Sequence, residues 1–251
     1  DITASINYAR RIQTAYLPDI SFIRDHFADA HLYYRAKDIV SGDFYWWSVK
    51  NGKLLIVVAD CTGHGVPGGF MTILGSQTID KIVNTQSITD PGLLLEKLDD
   101  EIQLALGESE DTMGDGMDVA VCVLDIATGD LTFSGARRPI LYIESGKINE
   151  IKGAFKSIGE TESENVQFVT HTVQLTKGDR IFLFSDGAQD QFGGPDRPRK
   201  FSKKRMHSLL EEESNLKLSL KEHFDIVVQN LEGWVGDREL TDDITILAVE
   251  Y

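Results

Sequence analysis

Apolar residues recur along this chain with two periods, one helical and one of strand length. In residues 2–16, Ile2, Ile6, Ala9 and Tyr16 fall at alternating heptad spacing, with Gln13 as the polar exception. This predicts an amphipathic helix that stops at Leu17-Pro18. Two readings of it stand open: a helix packed on its own domain, or the end of a coiled coil entering from an upstream segment. Residues 31–35, 44–47 and 53–59 have strand character, and Asn51-Gly52 marks a hairpin turn between the last two. Residues 67–83 read as a helix with Pro67 in its first turn. Asp90-Pro91 opens another, with Leu93, Leu94, Leu98, Ile102 and Leu106 along one face.

An acidic, Gly-containing loop is expected over 107–116. Strand candidates follow at 118–126, 131–134, 140–144, 148–151, 166–175 and 180–185, with Gly-containing turns between several of them. Residues 192–200 form a loop rich in Gly, Pro and charge; 202–213 and 218–234 read as helices, and 244–249 as a last strand. There is no internal repeat, low-complexity tract or linker. Hairpin-connected strands with segregated helix pairs predict an α+β domain rather than an alternating βαβ sheet.

The 251 residues suit one large domain or two small ones, with enough core to need no disulfide or structural metal. Lys+Arg total 25 and Asp+Glu 40, a net charge of −15. Such a field repels nucleic acid and anionic membrane, so no nucleic-acid partner is expected. Cys61 and Cys122 have no metal-type spacing and fit a reducing, cytoplasmic setting. No apolar run approaches the roughly 18–20 residues that span a bilayer. The chain starts Asp-Ile-Thr-Ala, without initiator Met or signal peptide. It therefore reads as a mature fragment or excised domain, with room for a membrane or sensor region upstream.

Aspartates sit at strand ends. Asp43 starts an aromatic strand, Asp60 ends the apolar run 54–59, Asp186 ends 181–185 and precedes Gly187, and Asp242-Asp243 precede 244–247. A carboxylate abutting a buried strand is costly without a partner. No Lys or Arg lies within several residues of Asp60 or Asp186. Converging strand ends would bring these groups together, where they repel unless protonated or bound to cations. Oxygen ligands suit Mg²⁺ or Mn²⁺, and zinc is a poorer fit. Taken singly, Asp186-Gly187 also reads as a turn, and Asp242-Asp243 as a helix-to-strand turn. The segment after Asp60 reads as a phosphate-cradling loop, although Gly63-His64-Gly65 has neither Walker Lys nor Rossmann spacing. No convincing Ser/His/Asp or Cys/His set occurs, and both cysteines read as small buried residues.

The segment Asp60-Cys61-Thr62-Gly63-His64-Gly65-Val66-Pro67-Gly68 resembles the Asp-x-[Ser/Thr]-Gly-His-Gly motif of the metal-dependent protein phosphatases, the PPM or type 2C family. It is most similar to the bacterial branch of sporulation stage II phosphatase E and the stress-response phosphatases. Ser41-Gly42-Asp43-Phe44-Tyr45, Phe184-Ser185-Asp186-Gly187 and Thr241-Asp242-Asp243-Ile244-Thr245 are similar to that branch's other motifs, in the same order over residues 30–251.

The resemblance implies a four-layer αββα sandwich of two antiparallel sheets flanked by helix pairs. Residues 19–251 would be the phosphatase domain and 1–18 a connecting helix. It implies two Mn²⁺ or Mg²⁺ ions. Asp60 would bridge both, the Cys61 backbone carbonyl would bind one, Asp186 and Asp242 would hold the other, and Asp43 would act directly or through water. A metal-bridged water would attack phosphoserine or phosphothreonine in line, on a regulatory protein such as a STAS-type anti-sigma antagonist. An upstream sensor or coiled-coil segment and a homodimer are the further partners implied. The competing readings are a pseudophosphatase that binds without turnover and a hydrolase of small phosphoesters. Residues 134–139 lack the carboxylate through which some relatives bind a third metal, and Lys37 and Arg137 are the candidate phosphate-binding cations. Asp118 either approaches the site or is a strand-edge acid. His64 is expected to orient the metal loop or cap the next helix, and 192–200 is expected to be a substrate-selecting flap or a plain exposed connection.

Overall fold

In a computed structural model of the chain, residues 2–107, 114–161 and 165–251 are described, with the side chain of Ser214 left aside. The expected acidic loop thus falls mostly outside the described residues. The first half runs α1 (Ile2–Tyr16), α2 (Ser21–Arg24), β1 (Asp29–Arg35), β2 (Asp43–Lys50), β3 (Lys53–Cys61), α3 (Gly65–Asp80) and α4 (Pro91–Leu106). It continues through β4 (Met117–Asp125), β5 (Asp130–Ala136), β6 (Ile140–Glu144), β7 (Lys147–Ile151), β8 (His171–Gln174) and β9 (Arg180–Phe184). The rest is α5 (Gly187–Asp190), β10 (Phe192–Gly193), β11 (Arg199–Lys200), α6 (Lys203–Glu211), α7 (Glu213–Leu216), α8 (Leu220–Val235) and β12 (Ile244–Glu250).

Two five-stranded sheets form, ordered β2-β3-β4-β5-β8 and β1-β12-β9-β6-β7, with antiparallel pairing throughout. Successive side chains of a strand face opposite ways, and here both faces are covered. Tyr45, Trp47, Ile56 and Val58 meet Ile181, Leu183, Leu247 and Val249 between the sheets. Phe44, Trp46, Leu55 and Val57 face outward onto Ile79, Leu94, Leu98 and Ile102 of α3 and α4. Phe182, Phe184, Ile244 and Ile246 face Met206, Phe224, Val227 and Leu231 of α6 and α8. This double burial is why 54–59 and 246–249 read as unbroken apolar runs rather than alternating ones. The expected αββα sandwich is the fold found.

Local signals set the element ends. Asn51 and Gly52 carry φ of 52° and 73°, the left-handed pair a two-residue hairpin turn needs. Asp90 accepts the Leu93 N–H at 2.9 Å and caps α4, while Ser219 and Glu222 cap α8 reciprocally. The strand expected over 166–175 shortens to four residues, because the segment before it caps α4 instead: Thr170 Oγ1 accepts the Gly92 N–H at 3.0 Å and donates to Asp90 at 2.9 Å. The helix expected over 202–213 breaks into α6 and α7, and the loop 192–200 closes as a short β10–β11 pair.

Gln13, the polar exception in α1, is the buried residue of that helix. Its Nε2 donates to the Ser41 carbonyl at 2.7 Å and to Thr72 Oγ1 of α3 at 2.9 Å; its Oε1 accepts the Ser41 N–H at 3.0 Å. The apolar Ile2, Tyr8, Ile12 and Tyr16 are exposed. One amide therefore anchors the helix where a hydrophobic seam was expected. Gln13→Ala leaves both Ser41 backbone groups buried and unpaired, at a cost of about 1–3 kcal/mol. We expect lower thermal stability and faster amide exchange in α1 and at Ser41; protection unchanged from wild type would contradict the anchor.

Candidate active site

Strand register builds the site. β2 aligns Asp43 with Asp60 on β3, and β3 aligns Asp60 with Asp118 on β4. Residues directly opposite on neighbouring strands share a face. Here it is the inter-sheet face, apolar through Tyr45, Val58 and Ala120 and acidic at this edge. Across the gap, Ser185 and Asp186 follow β9, while Asp242 and Asp243 precede β12.

Asp43 ties the two sheets together. It is 1% exposed, and its Oδ2 accepts hydrogen bonds from Ser185 Oγ at 2.5 Å and Thr245 Oγ1 at 2.8 Å. The Thr245 N–H donates to Ser185 Oγ at 3.0 Å. Asp243 does a different job: it accepts the backbone N–H groups of Lys37 at 2.8 Å and Gly42 at 2.7 Å, fixing the segment that leads into β2. The Asp186 N–H points at Asp60 Oδ2 from 3.4 Å.

Close backbone approach explains two glycine positions. A Cβ on Gly187 would lie 1.8 Å from the Asp243 carbonyl oxygen, so Asp186-Gly187 is the contact between the two strand ends rather than a turn glycine. A Cβ on Gly42 or Gly68 would lie 2.4 or 2.5 Å from the Gly63 carbonyl oxygen, which wedges the loop after Asp60 between β2 and α3.

A cleft of about 310 Å³ opens at this edge, lined in part by Asp60, Asp118, Asp186 and Asp242. Burial pushes Asp43 up to about 7. Burial raises Asp60 well above the usual carboxylate range, and the charges of Asp43 and Asp186 add to it. Burial likewise raises Asp118 and Asp242. Beside two of these acids lies Arg138, whose Nη2 is 3.7 Å from Asp118 and 4.0 Å from Asp186. The Cys61 thiol is buried and pushed well up, so it stays protonated.

Crowded carboxylates with raised affinity for protons are also a high-affinity oxygen set for a hard cation. That chemistry fits Mg²⁺ or Mn²⁺. Among the described residues no three His, Cys, Asp or Glu side chains already close a cage. The acids line an open cleft in which such ions would keep several waters.

The four acids expected from the sequence, Asp43, Asp60, Asp186 and Asp242, thus sit at one edge. Lys37 holds Asp243 through its backbone, and its charge only partly offsets the burial that raises the Asp242 carboxyl. Arg137 lines the cleft, but its guanidinium pairs with Glu160 at 3.2 Å and stands 4.6 Å over the Phe155 ring. Sequence reasoning gave no role to Arg138, Ser185 or Thr245 and left Asp118 undecided. Counting register back from the β3–β4 pairing finds Asp118, but that pairing is long-range. His64 occupies the position before α3 without a side-chain cap, and pairs with Asp38 at 2.6 Å on the surface.

Two outcomes follow. A carboxyl whose folded value is raised binds more protons folded than unfolded, so its contribution to stability falls as pH rises from about 4 to about 7. In EDTA, Asp43→Asn therefore gains on wild type across that window, on the order of a few kcal/mol by the top of it. Denaturant melts at pH 5 and 8 check this, and a pH-independent difference would contradict it. Gly187→Ala forces Asp243 away and costs about 1–3 kcal/mol; a wild-type melting temperature would show that the contact is not needed.

Residues 50–251 match the family model described as stage II sporulation protein E (SpoIIE). The chain is 22% identical over 161 residues to the phosphoserine phosphatase RsbP of Bacillus subtilis (strain 168), covering 63% of this chain and 39% of that one. It thus spans about two fifths of that curated relative's length. Among solved structures it is similar to the SiaA-PP2C domain of Pseudomonas aeruginosa, with TM-score 0.87 and 30% identity, covering 100% of this chain and 97% of that one. The phosphatase domain and regulatory fragment of SpoIIE from Bacillus subtilis shares the fold at 18% identity, with TM-score 0.70, over 89% of this chain and 63% of that one. With its sandwich fold and the acidic edge described above, the chain belongs to the SpoIIE family of PP2C-type, metal-dependent phosphatases.

Proposed function

We propose that the domain hydrolyses phosphoserine or phosphothreonine in a regulatory protein, using two Mn²⁺ or Mg²⁺ ions. Asp60, in the middle of the Asp43-Asp60-Asp118 row, would bridge the ions. The Cys61 carbonyl would complete one, and Asp186 and Asp242 the other, with Asp43 acting directly or through water. When bound, such ions supply an activated water and neutralise charge building on the phosphoryl oxygens. The observation that carries this reading is the gathering of Asp60, Asp186 and Asp242 around one open cleft.

The protein's own groups have separable tasks. Asp43 has its Oδ2 held by two hydroxyls, which fixes its carboxyl between the sheets. Asp186 is the accessible acid, with 36% of its side chain exposed, so it faces the incoming phosphoryl group. Asp243 and Gly187 hold the strand ends that carry Asp242 and Asp186 at their spacing. Lys37 and Arg137 add positive charge near the mouth.

The relative named as a phosphoserine phosphatase supports a phosphoserine protein as substrate, and a STAS-type anti-sigma antagonist fits that class. Among the described residues no helix is long and apolar enough to cross a membrane. Two buried free thiols, Cys61 and Cys122, suit a reducing cytoplasm. The exposed Ile2, Tyr8, Ile12 and Tyr16 of α1 suit continuation into an upstream coiled-coil segment shared by a homodimer.

Hydrolysis of a phosphoserine peptide is expected with Mn²⁺ or Mg²⁺ and not with EDTA. Even outer partners of metal ligands cost 10–100-fold when removed, so Asp60→Asn and Asp186→Asn should each lose about 100-fold or more. Steady-state release of phosphate measures this. Metal binding without turnover would favour the pseudophosphatase reading, and nucleotide or sugar phosphates cleaved in preference would favour the small-phosphoester one.

A further inference from the structure

We propose that Arg138 is the guanidinium that grips the phosphoryl group, with Asp118 and Ser157 as the groups that aim it. The inference rests on the phosphatase reading for its substrate class, a phosphomonoester dianion, but not for its geometry.

The backbone is shaped to separate two adjacent arginines. Arg137 sits at φ 57°, a left-handed conformation unusual for a bulky residue. The Arg138 N–H closes back onto the Ala136 carbonyl at 2.7 Å, and the Arg137 N–H reaches the Ala154 carbonyl at 2.8 Å. This tight turn needs Gly135 and Gly153. A Cβ on either would lie 2.1 or 2.7 Å from the Arg138 carbonyl oxygen. Strain kept in place by its surroundings is common at functional sites. Its result here is that Arg137 turns to Glu160 and Phe155 at the rim, while Arg138 turns inward.

Arg138 is placed but not used up. Its side chain is 12% exposed, yet its two carboxylate neighbours are 3.7 and 4.0 Å away, beyond hydrogen-bond length. Its Nε is buried with no hydrogen-bond partner. A buried donor left unpaired is costly, and a guanidinium whose Nη2 lies beside two cleft-lining acids can meet phosphate oxygens as a planar fork, in a way a point charge cannot. Asp118 is itself held, since its Oδ1 accepts Ser157 Oγ–H at 2.5 Å. It offers the guanidinium an anchor on the cleft wall while leaving donors for a ligand. Asp186 sits on the other side, so a phosphoryl group drawn to Asp186 and its ions would meet the fork.

The test uses the full chain loaded with Mn²⁺ and reads binding of inorganic phosphate by calorimetry, apart from turnover. A charge-assisted pair is worth enough that Arg138→Ala should weaken phosphate binding roughly 10- to 100-fold. Arg138→Lys keeps the charge without the fork and should recover only part of it. Mn²⁺ affinity should stay within about threefold in both variants, since Arg138 is no ion ligand and its 4.0 Å approach to Asp186 is too long for a hydrogen bond that would orient that ligand. Arg137→Ala, which removes a cation at the mouth already paired with Glu160, should weaken phosphate binding less than Arg138→Ala does. Phosphate binding unchanged in Arg138→Lys and Arg138→Ala would overturn the assignment, as would no phosphate binding to wild type. So would parallel losses of phosphate and Mn²⁺ affinity, the mark of a merely structural role. If Arg138→Ala does not fold, Arg138→Lys and Ser157→Ala are read in its place. Phosphate bound through Arg138 by a protein without turnover would sink the phosphatase reading and leave this inference standing.

Discussion

Mutual repulsion among carboxylates governs the working edge of this domain. Asp43, Asp60 and Asp118 are forced side by side by strand register, and Asp186 and Asp242 arrive from the opposite sheet. Burial makes each charge expensive, and proximity makes it more so. The surrounding contacts oppose that repulsion. Ser185 and Thr245 donate to Asp43 across the sheets, Asp243 staples the segment entering β2, and Gly187 lets the two strand ends touch. Arg138 supplies a positive charge without closing the cleft.

The apolar sandwich makes this arrangement tolerable. Three cores, one between the sheets and one under each helix layer, hold the strands in fixed register right up to the acidic edge. Rigid strands are a better platform for closely spaced like charges than loops, because the acids cannot drift apart to relieve the strain. The stability that the core provides is thus partly opposed at one edge, and a divalent cation bound there would convert that opposition into affinity.

Much of this was legible in the sequence, for a physical reason. A charged residue ending an apolar run is rare and cheap to notice, so Asp60, Asp186 and Asp242 stood out. Runs buried on both faces are continuous, so the strands of the sandwich stood out too. Asp118 did not, because its meaning depends on long-range register. Arg138 did not, because a single left-handed residue at Arg137 decides which of two neighbouring arginines faces inward. Gln13 looked like a defect in a heptad and is a hydrogen-bond anchor, a role that needs Ser41 and Thr72 brought to it from 28 and 59 residues away. The α4 cap on Thr170 has the same character: its partner lies 78 residues off in sequence.

The most direct test of the central claim is thermal unfolding of wild type and Asp60→Asn at pH 7.5, with EDTA and with Mn²⁺. If repulsion at Asp60 is the governing constraint, the variant melts higher than wild type in EDTA, and Mn²⁺ raises wild type alone. A variant that melts lower in EDTA, with wild type indifferent to Mn²⁺, would contradict the account.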